Sequence, residues 1–126
     1  MNKSALMVWG GWPGHSPKES AELFGQWLEE QGYDVEITDS MDVYLDLEKL
    51  KSLSLIVPVW TQGEITREQT SNLLEAIASG VGISGWHGCM ADSYRTAVDY
   101  QFMVGGQWVS HPGGYIDYEV NITDHD

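Results

Sequence analysis

The sequence contains a single cysteine, so no internal disulfide can close across it. None is needed, because a chain of 126 residues makes one domain that buries roughly two thirds of its unfolded surface. Basic side chains are scarce, six against nineteen acidic ones, for a formal net charge of −13. That surface repels phosphate backbones and anionic headgroups, which argues against nucleic acid and membrane partners and suits neutral or cationic ligands. No apolar stretch approaches the roughly 18 residues that a helix needs to cross a bilayer. The start, MNKSALMVWGG, has neither the apolar core nor the cleavage site of a signal peptide, so the expected location is cytoplasmic. Internal repeats, low-complexity segments and linkers are also missing, and residues 1–126 read as a single domain.

What is present is an alternation of strand and helix signals. Ala5 to Trp9 is a short continuous apolar run of the kind a doubly covered parallel strand shows, and Gly10 and Gly11 end it. Ser16, Pro17 and Glu19 spell a capping box with proline at the first helical position, followed by Ala21, Phe24, Trp27 and Leu28 at helical spacing and by Gly32 as a stop. Val35 and Ile37 alternate with polar residues as a second strand, and Leu45 to Leu53 has the spacing of a shorter helix. Residues 54–60 (SLIVPVW) predict a third strand, with a bulge or the strand end at Pro58, which has no ladder donor. Thr66 and Gln69 cap another helix through Leu73, Leu74 and Ile77 to Gly80, and residues 81–86 (VGISGW) predict a fourth strand. A helix from Asp92 to about Met103, a glycine-rich loop and a strand from Tyr115 to Ile122 complete the expectation. Such a series makes an α/β fold, an open and mainly parallel doubly wound sheet with helices on both faces.

This layout decides which residues can meet. In open α/β sheets, ligands lie beyond the carboxyl ends of the strands, where strand order reverses. The loops there contain Trp12 and His15, then Trp60, Thr61, Gln62 and Glu64, then Trp86 and His87, while the irregular stretch Gln107 to Gly114 is long enough to fold over the same edge. Three of the four histidines (His15, His87, His111) and four of the six tryptophans (Trp12, Trp60, Trp86, Trp108) fall in these loops. Trp9 and Trp27 read as core, and His125 as a terminal residue.

Four stretches, GGWPGHSP, IVPVWTQGEIT, GWHGCMADSYR and YQFMVGGQWVSHPGG, resemble in order the motifs of the trehalose-utilisation (ThuA-like) family of the class I glutamine-amidotransferase-like superfamily. The resemblance runs through nearly the whole chain. It implies a flavodoxin-like three-layer αβα fold and a role in the carbohydrate metabolism of disaccharides or keto-sugars. Family domains normally continue beyond the point matched by NITDHD, with a proline after the histidine, whereas Asp126 follows His125 here. The expectation is a domain short of the family's C-terminal part, with a late strand and closing helix missing and the last strand left uncovered, which favours a homo-oligomer.

Amidotransferase-like and hydrolase sites raise a nucleophile on a G-x-Nuc-x-G elbow. In this register His87 takes the nucleophile position between Gly85 and Cys89, and Cys89 replaces the second glycine. Imidazole is a poor acyl acceptor for an amide but a good acid, base or metal ligand near neutral pH, which excludes glutaminase chemistry and makes His87 the candidate catalytic residue. The plainer reading of His87 is a turn cap, and that of Cys89 a buried small hydrophobe. His15, His87 and His111 are also candidate ligands for a metal such as zinc, although no local ligand motif supports them. Glycoside hydrolysis needs two carboxylates, for which Glu64 and Asp92 are the candidates against a solvated-surface reading. Of these, Glu64 joins His87 in the catalytic set. Arg95 reads as an ion-pair partner of Asp92 or Asp99 on one helix.

The flat faces of Trp12, Trp60, Trp86 and Trp108 suit the apolar face of a pyranose, while Gln62, Gln107, His15 and His111 can serve its hydroxyls, so these are the candidate substrate-binding residues. Two functions stay open at this point. The first is an enzyme processing trehalose-like or keto-glycoside substrates, and the second is a non-catalytic sugar-binding domain or an inactive fragment of such an enzyme.

Overall fold

The structure, a computed structural model, describes residues 3–124, so the expectation for His125 lies outside the described residues. Four parallel strands, β1 (Lys3–Gly11), β2 (Tyr33–Thr38), β3 (Leu55–Thr61) and β4 (Gly82–Ile83), lie in the order β2-β1-β3-β4. The helices are α1 (Pro17–Glu30), α2 (Leu47–Ser52), α3 (Arg67–Ala78) and α4 (Val98–Val104). Strand alternation sorts the core into two layers. Leu6, Val8 and Ile56 face Leu50, Leu73, Ala76 and three buried tyrosines, whereas Ala5, Met7, Val57 and Val59 face Ala21, Leu28 and Cys89. The sheet is thus covered on both faces, giving the doubly wound αβα arrangement.

Pro58 sits inside a continuous β3, fully buried and opposite Val8, rather than at a bulge or strand end. The reason lies in the direction of its missing N–H. The carbonyl of Ile56 accepts from Ser84 N–H and that of Trp60 from the Ser93 hydroxyl, so even-numbered residues of this strand turn their polar groups away from β1. On that side β4 reaches only Leu55 and Ile56, so the proline displaces no ladder bond.

On α1 the buried stripe is Pro17, Ala21, Gly25 and Leu28. Small residues bring the helix close to the sheet, and a Cβ on Gly25 would stand 2.6 Å from Ile37 Cδ1. At about 100° per residue Trp27 lies about 200° from Gly25, and it is 54% exposed rather than in the core. The expected capping box at Ser16 does not form. Ser16 adopts a left-handed conformation (φ 46°), makes no side-chain cap bond, and serves instead to turn the chain out of a short 3-10 turn, Pro13–His15. The box at Thr66 and Gln69 forms in full.

Three other expectations are corrected. The fourth strand stops at Ile83 because Gly85 and Trp86 leave the edge, and Trp86 packs against Phe24 of α1 with ring centroids 4.6 Å apart. The helix expected from Asp92 begins only at Val98, because Gln62 draws residues 92–94 into an extended pairing and Tyr94 takes a positive φ of 50°. Tyr115 to Ile122 is exposed and irregular instead of a strand, since its alternation meets no partner strand among the described residues.

Candidate functional site at the carboxyl edge

Strand order reverses between β1 and β3, and their carboxyl ends are joined by unusually close backbone contact. Gly11 (φ 79°) allows Trp12 N–H to donate to the Thr61 carbonyl at 3.1 Å; a Cβ on Gly11 would lie 2.1 Å from that oxygen. The 3-10 turn that follows brings His15 back over the edge, with the Trp12 ring edge-on to it at 4.7 Å.

His15 is the most firmly held imidazole of the site. Its Nδ1 is 2.9 Å from Thr61 Oγ1 and 2.9 Å from the Gly88 carbonyl oxygen, and the Thr61 hydroxyl donates to that same carbonyl. Thr61 is fully buried and His15 half-buried. Gly88 has a φ of 82°, and a Cβ there would stand 2.8 Å from the imidazole, so glycine is what lets the 85–92 loop close on His15. Three segments far apart in sequence meet at this point, and the sequence reading placed Thr61 there only as one member of a loop. The visible signal was a hydroxyl residue ending an apolar strand at the switch point.

His87 and His111, both exposed, form a separate group around the half-buried Trp108. Ring centroids are 4.3 Å apart for His87 and Trp108, 4.6 Å for Trp108 and His111, and 6.4 Å for the two histidines. Trp108 is anchored by its backbone N–H, which donates to the Ala91 carbonyl at 2.8 Å. This is the aromatic patch that the expected loop over the edge provides. His15 joins it only through the neighbouring Gly88, and the expected metal set is not assembled: among the described residues no group of three His, Cys, Asp or Glu side chains is placed to hold a metal ion. The physical reason is that His15 Nδ1 is turned to the Gly88 carbonyl while the His87 ring lies tilted against Trp108.

The remaining candidates divide between surface and core. Glu64 and Gln62 are exposed in the loop after β3, and Gln107 is exposed with its Nε2 donating to the Arg95 carbonyl at 2.9 Å. Trp12 is 50% exposed and leaves part of its ring open to solvent. Trp60 does not: its ring lies against Gly10, and its Nε1 is buried without a partner among the described residues. Trp86 is half-buried on Phe24. Asp92 is buried rather than on a solvated surface, and it pairs with Arg95 as expected, though across a turn instead of along a helix. Cys89 is buried, and burial, opposed in part by its contact with Thr61, pushes its thiol up, which leaves it protonated and unreactive near neutral pH. Concavities of about 570 Å³ and 320 Å³ lie beside α3 and α4, and no histidine lines either.

Residues 4–126 match the family described as trehalose utilisation, ThuA. The chain belongs to the trehalose-utilisation family. A crystal structure of a ThuA-like protein from Bacteroides uniformis ATCC 8492 has the same fold, with a TM-score of 0.65 at 20% identity. The match covers 82% of this chain and 44% of that one, so the chain spans less than half the length of that ThuA-like protein. No curated protein matches the chain.

Proposed function

We propose that this trehalose-utilisation domain processes a disaccharide or keto-glycoside at the carboxyl edge of its sheet. The observation that carries the reading is the ring group of His87, Trp108 and His111, its histidines exposed and its tryptophan half-buried, beside the His15–Thr61–Gly88 junction at the switch point. An indole face suits the apolar side of a pyranose, and Trp12 and Gln107 lie in the loops that border the same edge. Imidazole near neutral pH supplies the acid and base for glycoside or keto-sugar chemistry. His87 on the ring group, with Glu64 on the neighbouring loop, and His15 at the junction are the groups available for it.

A second reading has its own support. No hydrogen bond orients His87 or Glu64 among the described residues, which suits a domain that binds sugar without turning it over. Incubation with trehalose and with 3-keto-trehalose separates the two readings. Release of monosaccharide from the keto-sugar is the expected result, and tryptophan-fluorescence change without product would favour the binding domain. Trp108→Ala should weaken sugar binding by about tenfold, corresponding to about 1.4 kcal/mol. Neither turnover nor binding of either sugar would overturn the proposal.

A further inference from the structure

Acid–base work requires an imidazole whose reactive nitrogen is defined. His87 and His111 make ring contacts, and nothing in those contacts sets which nitrogen carries the proton. His15 differs, because a carbonyl oxygen can only accept. With Nδ1 at 2.9 Å from the Gly88 oxygen, an unprotonated Nδ1 would place two lone pairs against each other, whereas Nδ1–H donates to that oxygen and to Thr61 Oγ1. The Thr61 hydroxyl spends its own proton on the Gly88 carbonyl, so it stands toward His15 as an acceptor too. All three groups are satisfied in one tautomer only. In the neutral ring Nε2 is then bare, and it has neither a hydrogen-bond partner nor full burial among the described residues.

We infer that His15, held in its Nδ1–H form by Gly88 and by Thr61 as positioning residue, is the proton acceptor of the site through Nε2. The inference rests on the reading of this edge as a sugar site. In the step, the O–H bond of a bound sugar hydroxyl breaks, its electron pair stays on oxygen, and the proton passes to Nε2. The resulting imidazolium keeps Nδ1–H on the Gly88 carbonyl, and Nε2 returns the proton to an oxygen of the substrate as that oxygen gains charge. Gly88 is part of the device, since any Cβ there would push the imidazole from its acceptors.

The test is long-range ¹H–¹⁵N NMR on the uniformly ¹⁵N-labelled chain at a pH where the imidazoles are neutral, with the His15 signals identified by their loss in His15→Gln. His15 should show a protonated Nδ1 and a bare Nε2, the reverse of the form that exposed histidines favour in water. Thr61→Val should turn it into a mixture of tautomers, and Thr61→Ser should restore the wild-type pattern. An Nε2–H form in the wild-type protein overturns the inference. A Thr61→Val spectrum identical to wild type overturns the role of Thr61, and the wild-type spectrum still decides that of His15 if the valine variant does not fold. With 3-keto-trehalose, His15→Gln should lower turnover by about 10²–10⁴-fold. Turnover that survives His15→Gln but not His87→Ala would sink the His15 assignment and leave the sugar-processing function standing. No wild-type turnover together with the expected tautomer would count against the function alone.

Discussion

At the scale of single residues, the tyrosines beneath the site link burial to pH. Tyr44, Tyr94 and Tyr100 are buried in one layer of the core, and burial is the main cause that raises the pKa of each. The sign follows from the protonated form being the one the fold accepts. A phenol with a folded pKa above the unfolded value of about 10 contributes stability that is complete below that pH and is lost as the pH rises past it. Urea midpoints should therefore hold steady up to about pH 10 and fall above it, with tyrosinate absorbance from the three buried rings appearing only together with unfolding. Ionisation of all six tyrosines in the folded chain would show that the layer is open to solvent.

At the scale of elements, two helix starts with similar sequence signatures behave differently. Thr66 Oγ1 accepts from Gln69 N–H at 3.2 Å and the Gln69 side chain accepts from Thr66 N–H at 3.0 Å, closing the box on α3. Ser16 carries the same signature but is strained into the left-handed region by the turn that places His15. Thr66→Ala should cost about 0.5–2 kcal/mol of unfolding free energy. Ser16→Gly should be neutral or stabilise by up to about 1 kcal/mol, because glycine occupies a positive φ without strain. Chemical denaturation of the two variants checks both. A loss at Ser16→Gly equal to that at Thr66→Ala would mean that Ser16 caps α1 after all.

At the scale of the whole molecule, the sheet and its helices leave one long stretch outside the core. Residues 106–124 contain neither helix nor strand, and Ile116, Tyr118, Val120 and Ile122 are each at least 62% exposed. Their alternation suits a strand with one buried face, and among the described residues the outer side of β3 past Ile56 is met by the short pairing of residues 92–94. For the 126-residue chain we expect light scattering at micromolar concentration to report self-association, and Ile116→Lys combined with Tyr118→Lys to return a monomer. A wild-type monomer would show that this apolar stretch remains in solvent.

The sequence by itself determined what neighbours in the chain can decide. Short apolar runs set β1 and β3 and an alternating pattern sets β2, Gly32 and Gly80 mark where helices stop, and Thr66 with Gln69 completes a cap inside one turn. It also assigned the loops after β1 and β3 to the carboxyl edge, because the alternation of strand and helix assigns loops to an edge before any contact is known. Tertiary structure alone decided the rest. Pro58 is tolerated because a neighbouring strand is short, Trp27 faces water because Gly25 sits against Ile37, and Asp92 is buried because Gln62 pairs with its backbone. The site follows the same division. That His15 lies at the edge was legible, but the state of its imidazole depends on Thr61 and on a carbonyl 73 residues away, and no local pattern encodes a contact that closes only when the whole sheet has formed.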